Sequence, residues 1–271
     1  MKTNATSSEN YLLIAFLVIT PLISLAIPAF LSLPAEVVPL ILVIVPALLA
    51  ILFTAMTEGR RGVGALLRQP FQWKIGFRWY FIALGLAVGL RLTMSVLALL
   101  LGWIPAIQLS DWTPPQYVII GIFTLFGAFM EELGWRGYAL PKLLHRRSTL
   151  GSALIIGIPW GILHLGLVLP GMMNEGTSWV ATILFLVGLS VILAWFFVQT
   201  GYGIVAGIVY HAAQNYFVFF NGGITSAESL WLMTVVTLAI AVTLIVLYGP
   251  RLQQGSAKTA PMANAEPFET R

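Results

Sequence analysis

Cysteine is absent from all 271 residues. Disulfides, thiolate metal ligands and a cysteine nucleophile are thereby excluded. Charge is nearly as scarce. Only 9% of the residues are Asp, Glu, Lys or Arg, against ~25% in an ordinary soluble domain. Hydrophobic residues make up 59%, and the mean hydropathy is +0.92. Such a chain has too little polar surface to face water, and it reads as a polytopic membrane protein. Its net charge of +4 and isoelectric point near 9.5 are then a matter of topology, and no nucleic-acid partner is implied. A glycine-rich phosphate loop, a GxSxG elbow and an HExxH helix are also missing. That removes the common phosphate-cradling, serine-nucleophile and zincin patterns. No internal repeat is present.

Long apolar runs are what the chain has in abundance. Eight reach the ~20 residues that a span requires, at about 11–33, 35–56, 79–103, 116–140, 150–169, 178–199, 203–220 and 230–248. The expected fold is all-α, with about eight transmembrane helices. Pro21, Pro28, Pro39 and Pro46 predict bends in the first two. Residues 1–10 show no small-residue cleavage site and read as a retained N-terminal segment ahead of a membrane domain at 11–249. Residues 250–271, small, polar and proline-containing, read as a disordered tail.

Twelve of the fourteen Lys and Arg lie between the spans. They are Lys2; Arg60, Arg61, Arg68, Lys74 and Arg78; Lys142, Arg146 and Arg147; and Arg251, Lys258 and Arg271. Eight crossings put all of them on one side. The opposite loops hold Glu36, Asp111, Glu175 and Glu228. The positive-inside rule makes the basic side, with both termini, cytoplasmic in a cell membrane. The basic and aromatic stretch from Arg60 to Tyr80 reads as an interfacial segment touching lipid headgroups.

The two remaining arginines, Arg91 and Arg136, fall within spans. Arg91 is about 12 residues into the third, ~18 Å deep at 1.5 Å per residue, and needs Glu132 or a neighbouring helix's carbonyls as a partner. Arg136 belongs to GAFMEELGWRGYALPKLL, residues 127–144, where Glu131 and Glu132 stand side by side. Glu132 and Arg136 are four apart and can pair on one helix face, with Arg136 bracing the cytoplasmic end; Glu131 points about 100° away. Trp160 and His164 share a face of the fifth span, and His211 and Asn215 share one of the seventh. Each has a structural explanation when taken singly: an ion pair, a backbone hydrogen bond, or helix–helix adhesion. Together on three helices they are costly to bury and point to function. A carboxylate beside an imidazole activates water, directly or through a metal. A second imidazole and an amide can donate to a developing oxyanion. The inventory suits amide hydrolysis, and equally a Zn2+ held by Glu131, His164 and His211. With Glu132 neutralised by Arg136, Glu131 is the better base.

EELGWR at 131–136, followed by GYALPKL, resembles the EExxxR motif of the CPBP (CAAX protease and bacteriocin-processing, or Abi) family of intramembrane proteases. WGILH at 160–164 is similar to that family's FxxxH, with Trp160 in place of Phe, and HAAQN at 211–215 resembles its HxxxN. The motifs occur in the family's order, and the resemblance covers about 79–220. It implies an intramembrane endopeptidase with a polar intramembrane cavity open to the cytoplasm, acting on a membrane-anchored protein or peptide. Glu131 and His164 would activate water, His211 and Asn215 would stabilise the oxyanion, and Glu132 and Arg136, with Arg91, would organise the site. The family is described both as metal-dependent and as glutamate-dependent. Trp160 for Phe is expected to alter packing around His164 and not the chemistry. The rival class is a non-catalytic immunity or scaffold protein. A proton-relay transporter ranks third, since no inverted repeat is seen.

Overall fold

Backbone groups in an apolar setting must find their hydrogen bonds inside their own segment, and helices do this. The computed structural model, which describes residues 7–31 and 33–253, is built accordingly. Its helices are α1 (Ser7–Phe30), α2 (Val38–Arg68), α3 (Phe77–Leu100), α4 (Pro114–Glu132), α5 (Leu140–Leu144), α6 (Thr149–His164), α7 (Trp179–Gln199), α8 (Val205–Tyr216) and α9 (Ser226–Tyr248). No strand forms among the described residues; Gln108 and Gly222 make an isolated antiparallel bridge.

Seven helical segments among the described residues are long and apolar enough to cross a membrane. The predicted span at 203–220 is the exception. It consists of the 12-residue α8 and a 3-10 turn, Phe217–Asn221. Together these extend ~28 Å, close to the ~30 Å of a hydrocarbon core. α8 therefore still runs from one end of the bundle to the other. Its first turn follows Gly203, beside Ile75, and its exit is tied where the Gly222 N–H donates to the Gln108 carbonyl at 3.1 Å.

The charge asymmetry of the sequence becomes a difference between two ends. Lys142 meets Glu58 at 3.0 Å. The Leu150 N–H donates to the Pro250 carbonyl at 3.0 Å, and Gln199 Nε2 to the Leu252 carbonyl at 3.1 Å. Those contacts gather the loops around Arg60–Arg78, Lys142–Arg147 and Arg251 at one end. The loops with Asp111 and Glu228 meet at the other, where the Ser110 N–H donates to the Phe219 carbonyl at 2.7 Å. Leu252 is buried, so the chain stays packed just beyond α9. The expected tail and N-terminal segment otherwise fall at 254–271 and 1–6, outside the described residues.

Local chemistry explains the irregular places. Pro39 sits in the first turn of α2, where its missing N–H costs nothing. The break in α2 comes at Gly59, with φ 64°, a conformation glycine adopts freely. Beyond it, 60–68 is helical and amphipathic. Leu66 is buried, while Arg60, Arg61 and Arg68 are exposed. α6 packs on α7 through Gly157 and Gly161. A Cβ on either would lie 2.7 Å from the Val187 Cα or 2.8 Å from the Ile183 Cα. Small residues four apart allow this backbone approach between membrane helices.

Two outcomes are expected. Because the chain has no cysteine, single cysteines at Asp111 and Thr225 should label from the side opposite to those at Arg61, Arg146 and Tyr202. Labelling of positions 202 and 225 from the same side would mean that α8 does not cross. Gly161→Leu should lower the melting temperature in detergent sharply, since the neighbour it meets is backbone; an unchanged value would show that α6 and α7 separate readily.

Candidate active site

The acidic pair lies where α4 changes its winding. Leu133–Ala139 form a π-helical segment before α5 resumes, and such widened turns recur at functional sites. The sequence supplies the causes. Pro141 has no N–H to offer the Gly137 carbonyl four residues back. That carbonyl instead accepts from Gln69 Nε2 at 3.3 Å. Gly134 presses on α2, where a Cβ would lie 2.6 Å from Pro46 Cβ. The wide turn buries Trp135 and Arg136 together with Glu131 (3% exposed) and Glu132 (0%).

Arg136 Nη1 donates to Glu132 Oε1 at 3.1 Å, the pairing that the four-residue spacing predicts. Arg136 does not brace the end of the span. It is buried, with its guanidinium 4.3 Å from the centre of the Trp160 ring. Glu132 Oε1 also accepts from His211 Nδ1 at 3.0 Å, and Oε2 lies beside Gly207, one turn earlier in α8. The other ring nitrogen, His211 Nε2, stands 3.5 Å from Glu131 Oε2. The two glutamates diverge by about 100° along the helix, yet they meet again across one imidazole.

The fifth-span motif closes the cluster. Trp160 Nε1 donates to Glu131 Oε1 at 3.2 Å. His164 Nδ1 lies 2.9 Å from the Trp160 carbonyl. A carbonyl only accepts, so Nδ1 carries the proton and a neutral ring keeps its Nε2 lone pair. That Nε2 faces Glu131 Oε1 at 3.9 Å, a separation that a water molecule bridges. Glu131, Glu132, Arg136, Trp160, His164 and His211 thus form one connected group. Asn215 is half-buried one turn beyond His211, and its Oδ1 accepts from Gln214 Nε2. No hydrogen bond among the described residues joins it to Glu131.

Arg91 takes the second of its two expected partners. Its Nε and Nη2 both donate to the Gln214 carbonyl, Nε at 2.8 Å, and Nη1 donates to Asn221 Oδ1 at 3.3 Å. Asn221 Nδ2 returns to the Arg91 carbonyl at 3.2 Å and to Ser95 Oγ at 3.1 Å. A guanidinium at the last turn of α8 satisfies an end carbonyl and opposes the negative pole of the helix. Sequence reasoning passed over Asn221, Ser95 and Gln214; the signal available was only that Arg91 lacked a partner on its own helix. It also took Trp160 for packing alone, whereas the indole N–H contacts Glu131. An apolar cleft of about 340 Å3 between α3 and α9, lined by Leu97, Leu100, Trp103, Trp231 and Val235 among others, includes none of these residues.

All three motifs fall within residues 112–217. That segment matches the family model described as Type II CAAX prenyl endopeptidase Rce1-like. A CAAX prenyl protease 2 of Methanococcus maripaludis is 28% identical over 114 residues, 39% of this chain. The chain spans about 40% of the length of that curated relative. The resemblance read from the motifs is borne out, on the part of the chain that carries them.

Metal ligation was the other use expected of these side chains. Both imidazoles turn Nε2 toward Glu131 and hold Nδ1 on an acceptor, as zinc-binding histidines do. As placed, however, Glu131 Oε1 is engaged by Trp160, and no three His, Asp or Glu side chains among the described residues are grouped to hold a metal.

Arg91→Leu should lower the melting temperature in detergent, because it strands the Gln214 carbonyl and Asn221 Oδ1, at ~1–3 kcal/mol for each buried group left unpaired. Arg91→Lys, which keeps a donor, should recover part of the loss. Equal melting of Arg91→Leu and wild type would show that these groups reach water.

Proposed function

We propose that the protein is an intramembrane endopeptidase that hydrolyses a peptide bond of a membrane-associated substrate. The observation that carries the reading is the Glu131 carboxylate set between the Nε2 atoms of His164 and His211, each from a different helix. The match over 112–217 and the similar protease support it.

In the proposed reaction, water sits between Glu131 and His164 Nε2. Glu131 removes a proton as the water oxygen attacks the scissile carbonyl carbon. The carbonyl π pair moves onto oxygen, which accepts hydrogen bonds from Asn215 and from His211 Nε2–H. For His211 to donate from both nitrogens it must be an imidazolium in the reaction, with Glu132 Oε1 as the acceptor at Nδ1. Glu131 and Glu132 then balance Arg136 and His211, leaving the buried group without net charge. Collapse of the oxyanion breaks the C–N bond. Glu131 hands its proton to the leaving nitrogen, giving a carboxylic acid and an amine. Loop charge supports a cell-membrane location with the basic end and both termini in the cytoplasm. By analogy with the similar protease, a tail following a prenylated cysteine is the first substrate class to try. Zn2+ held by Glu131, His164 and His211 is the rival means of activating the same water.

Purified protein in proteoliposomes should cleave a membrane-tethered peptide. Glu131→Gln and His164→Ala should abolish turnover while leaving folding intact. Asn215→Ala should retain a rate ~10²–10³-fold lower. Glu132→Gln should harm stability at least as much as rate. Near-wild-type hydrolysis by Glu131→Gln would remove Glu131 as the base. Loss of activity to a chelator and its return with Zn2+ would select the metal. No cleavage of prenylated or unprenylated peptides by the wild type would favour the non-catalytic class.

A further inference from the structure

Trp160 touches both members of the water-activating pair through different atoms. Its indole Nε1–H donates to Glu131 Oε1 at 3.2 Å, and its backbone carbonyl receives His164 Nδ1 at 2.9 Å. Its ring is also held on several sides. The Arg136 guanidinium lies 4.3 Å from its centre, the His211 ring meets it nearly edge-on at 5.4 Å and 73°, and Trp135 packs at 6.3 Å. The side chain is wholly buried, so these neighbours restrict the indole's movement. A buried carboxylate free about its broad terminal torsion would turn its plane away from the two histidines. An N–H held on one oxygen restrains that torsion. It leaves Oε2 toward His211 and sets the Oε1 edge opposite the His164 lone pair.

We infer that Trp160 is a positioning residue: its indole N–H fixes the plane of the Glu131 carboxylate and holds it in register with His164. This rests on the peptidase reading. A residue of this kind acts on the chemical step, because misplacing a reacting group costs rate even when binding is unchanged. Packing alone would make a different demand, that an aromatic of the right shape fill the space. The two roles separate when the N–H is removed and the shape is kept.

The test uses the full chain in proteoliposomes with a membrane-tethered peptide that the wild type cleaves. Two variants remove the donor: Trp160→Phe, and Trp160 replaced by benzothienylalanine, which has the indole's shape with sulfur in place of N–H. Both should lower kcat about ten-fold, a barrier increase of ~1.4 kcal/mol, with KM within about two-fold of wild type and, for the benzothienyl protein, an unchanged melting temperature. Ultraviolet resonance Raman reads the contact without activity. The difference between wild type and Trp160→Phe isolates the Trp160 N–H band, and Glu131→Ala should shift it to the unbonded position. A benzothienyl protein with wild-type kcat, or a band that ignores Glu131→Ala, overturns the inference. A wild type inert toward every peptide overturns the peptidase reading, and the positioning role with it, whatever the spectra show.

Discussion

Ionised groups withdrawn from water must be neutralised by one another, and Glu132 is where this protein meets that constraint. One of its oxygens takes both the Arg136 guanidinium and the His211 ring. Removing either partner would strand a buried charge, at ~3–5 kcal/mol. Much of the surrounding geometry serves this junction. The widened turn at Leu133–Ala139 buries Arg136 beside its partner. Glu131 is left outside the ion pair, beside Trp160 and two imidazole nitrogens. Adjacent residues of one type thus receive separate tasks from their surroundings: one balances charge, and the other is available for chemistry.

A second constraint comes from α8, which carries His211 and is the shortest of the crossing elements described. A short helix with polar side chains gains little from burial against lipid, so its position depends on specific bonds. Arg91 supplies them at its last turn, through the Gln214 carbonyl and Asn221. Beyond its exit, the Gly222 N–H donates to the Gln108 carbonyl and ties the chain down there. Both the imidazole at Glu132 and the amide one turn later inherit their placement from this anchoring.

Much of this was legible in the sequence because it depended on spacing and on charge counting. Four residues separate Glu132 from Arg136, and any helical winding near that pitch brings them together. The loop cations fell on alternate loops, which orders the ends before any packing is known. The π segment was less visible. Its trace was Pro141 four residues after Gly137, a carbonyl deprived of its donor, with Gln69 far away in the chain to satisfy it. The tie between Trp160 and Glu131 was invisible for a different reason: an indole within an apolar run reads as packing, and only its neighbours decide where the N–H points. The Arg91–Asn221–Ser95 network was equally hidden, since it joins residues more than a hundred positions apart.

The brevity of α8 has a consequence for biogenesis. A segment enters the bilayer on its own when its apolar side chains outweigh its polar ones. Twelve residues that include His211, Gln214 and Asn215 do not meet that condition. α8 must therefore enter against helices already in place, with α3 and α4 offering Arg91, Glu131 and Glu132 to its polar face. Synthesis order favours this, because those helices precede it by more than seventy residues. The bonds that hold the site together in the finished protein are then the same ones that admit its last component into the membrane.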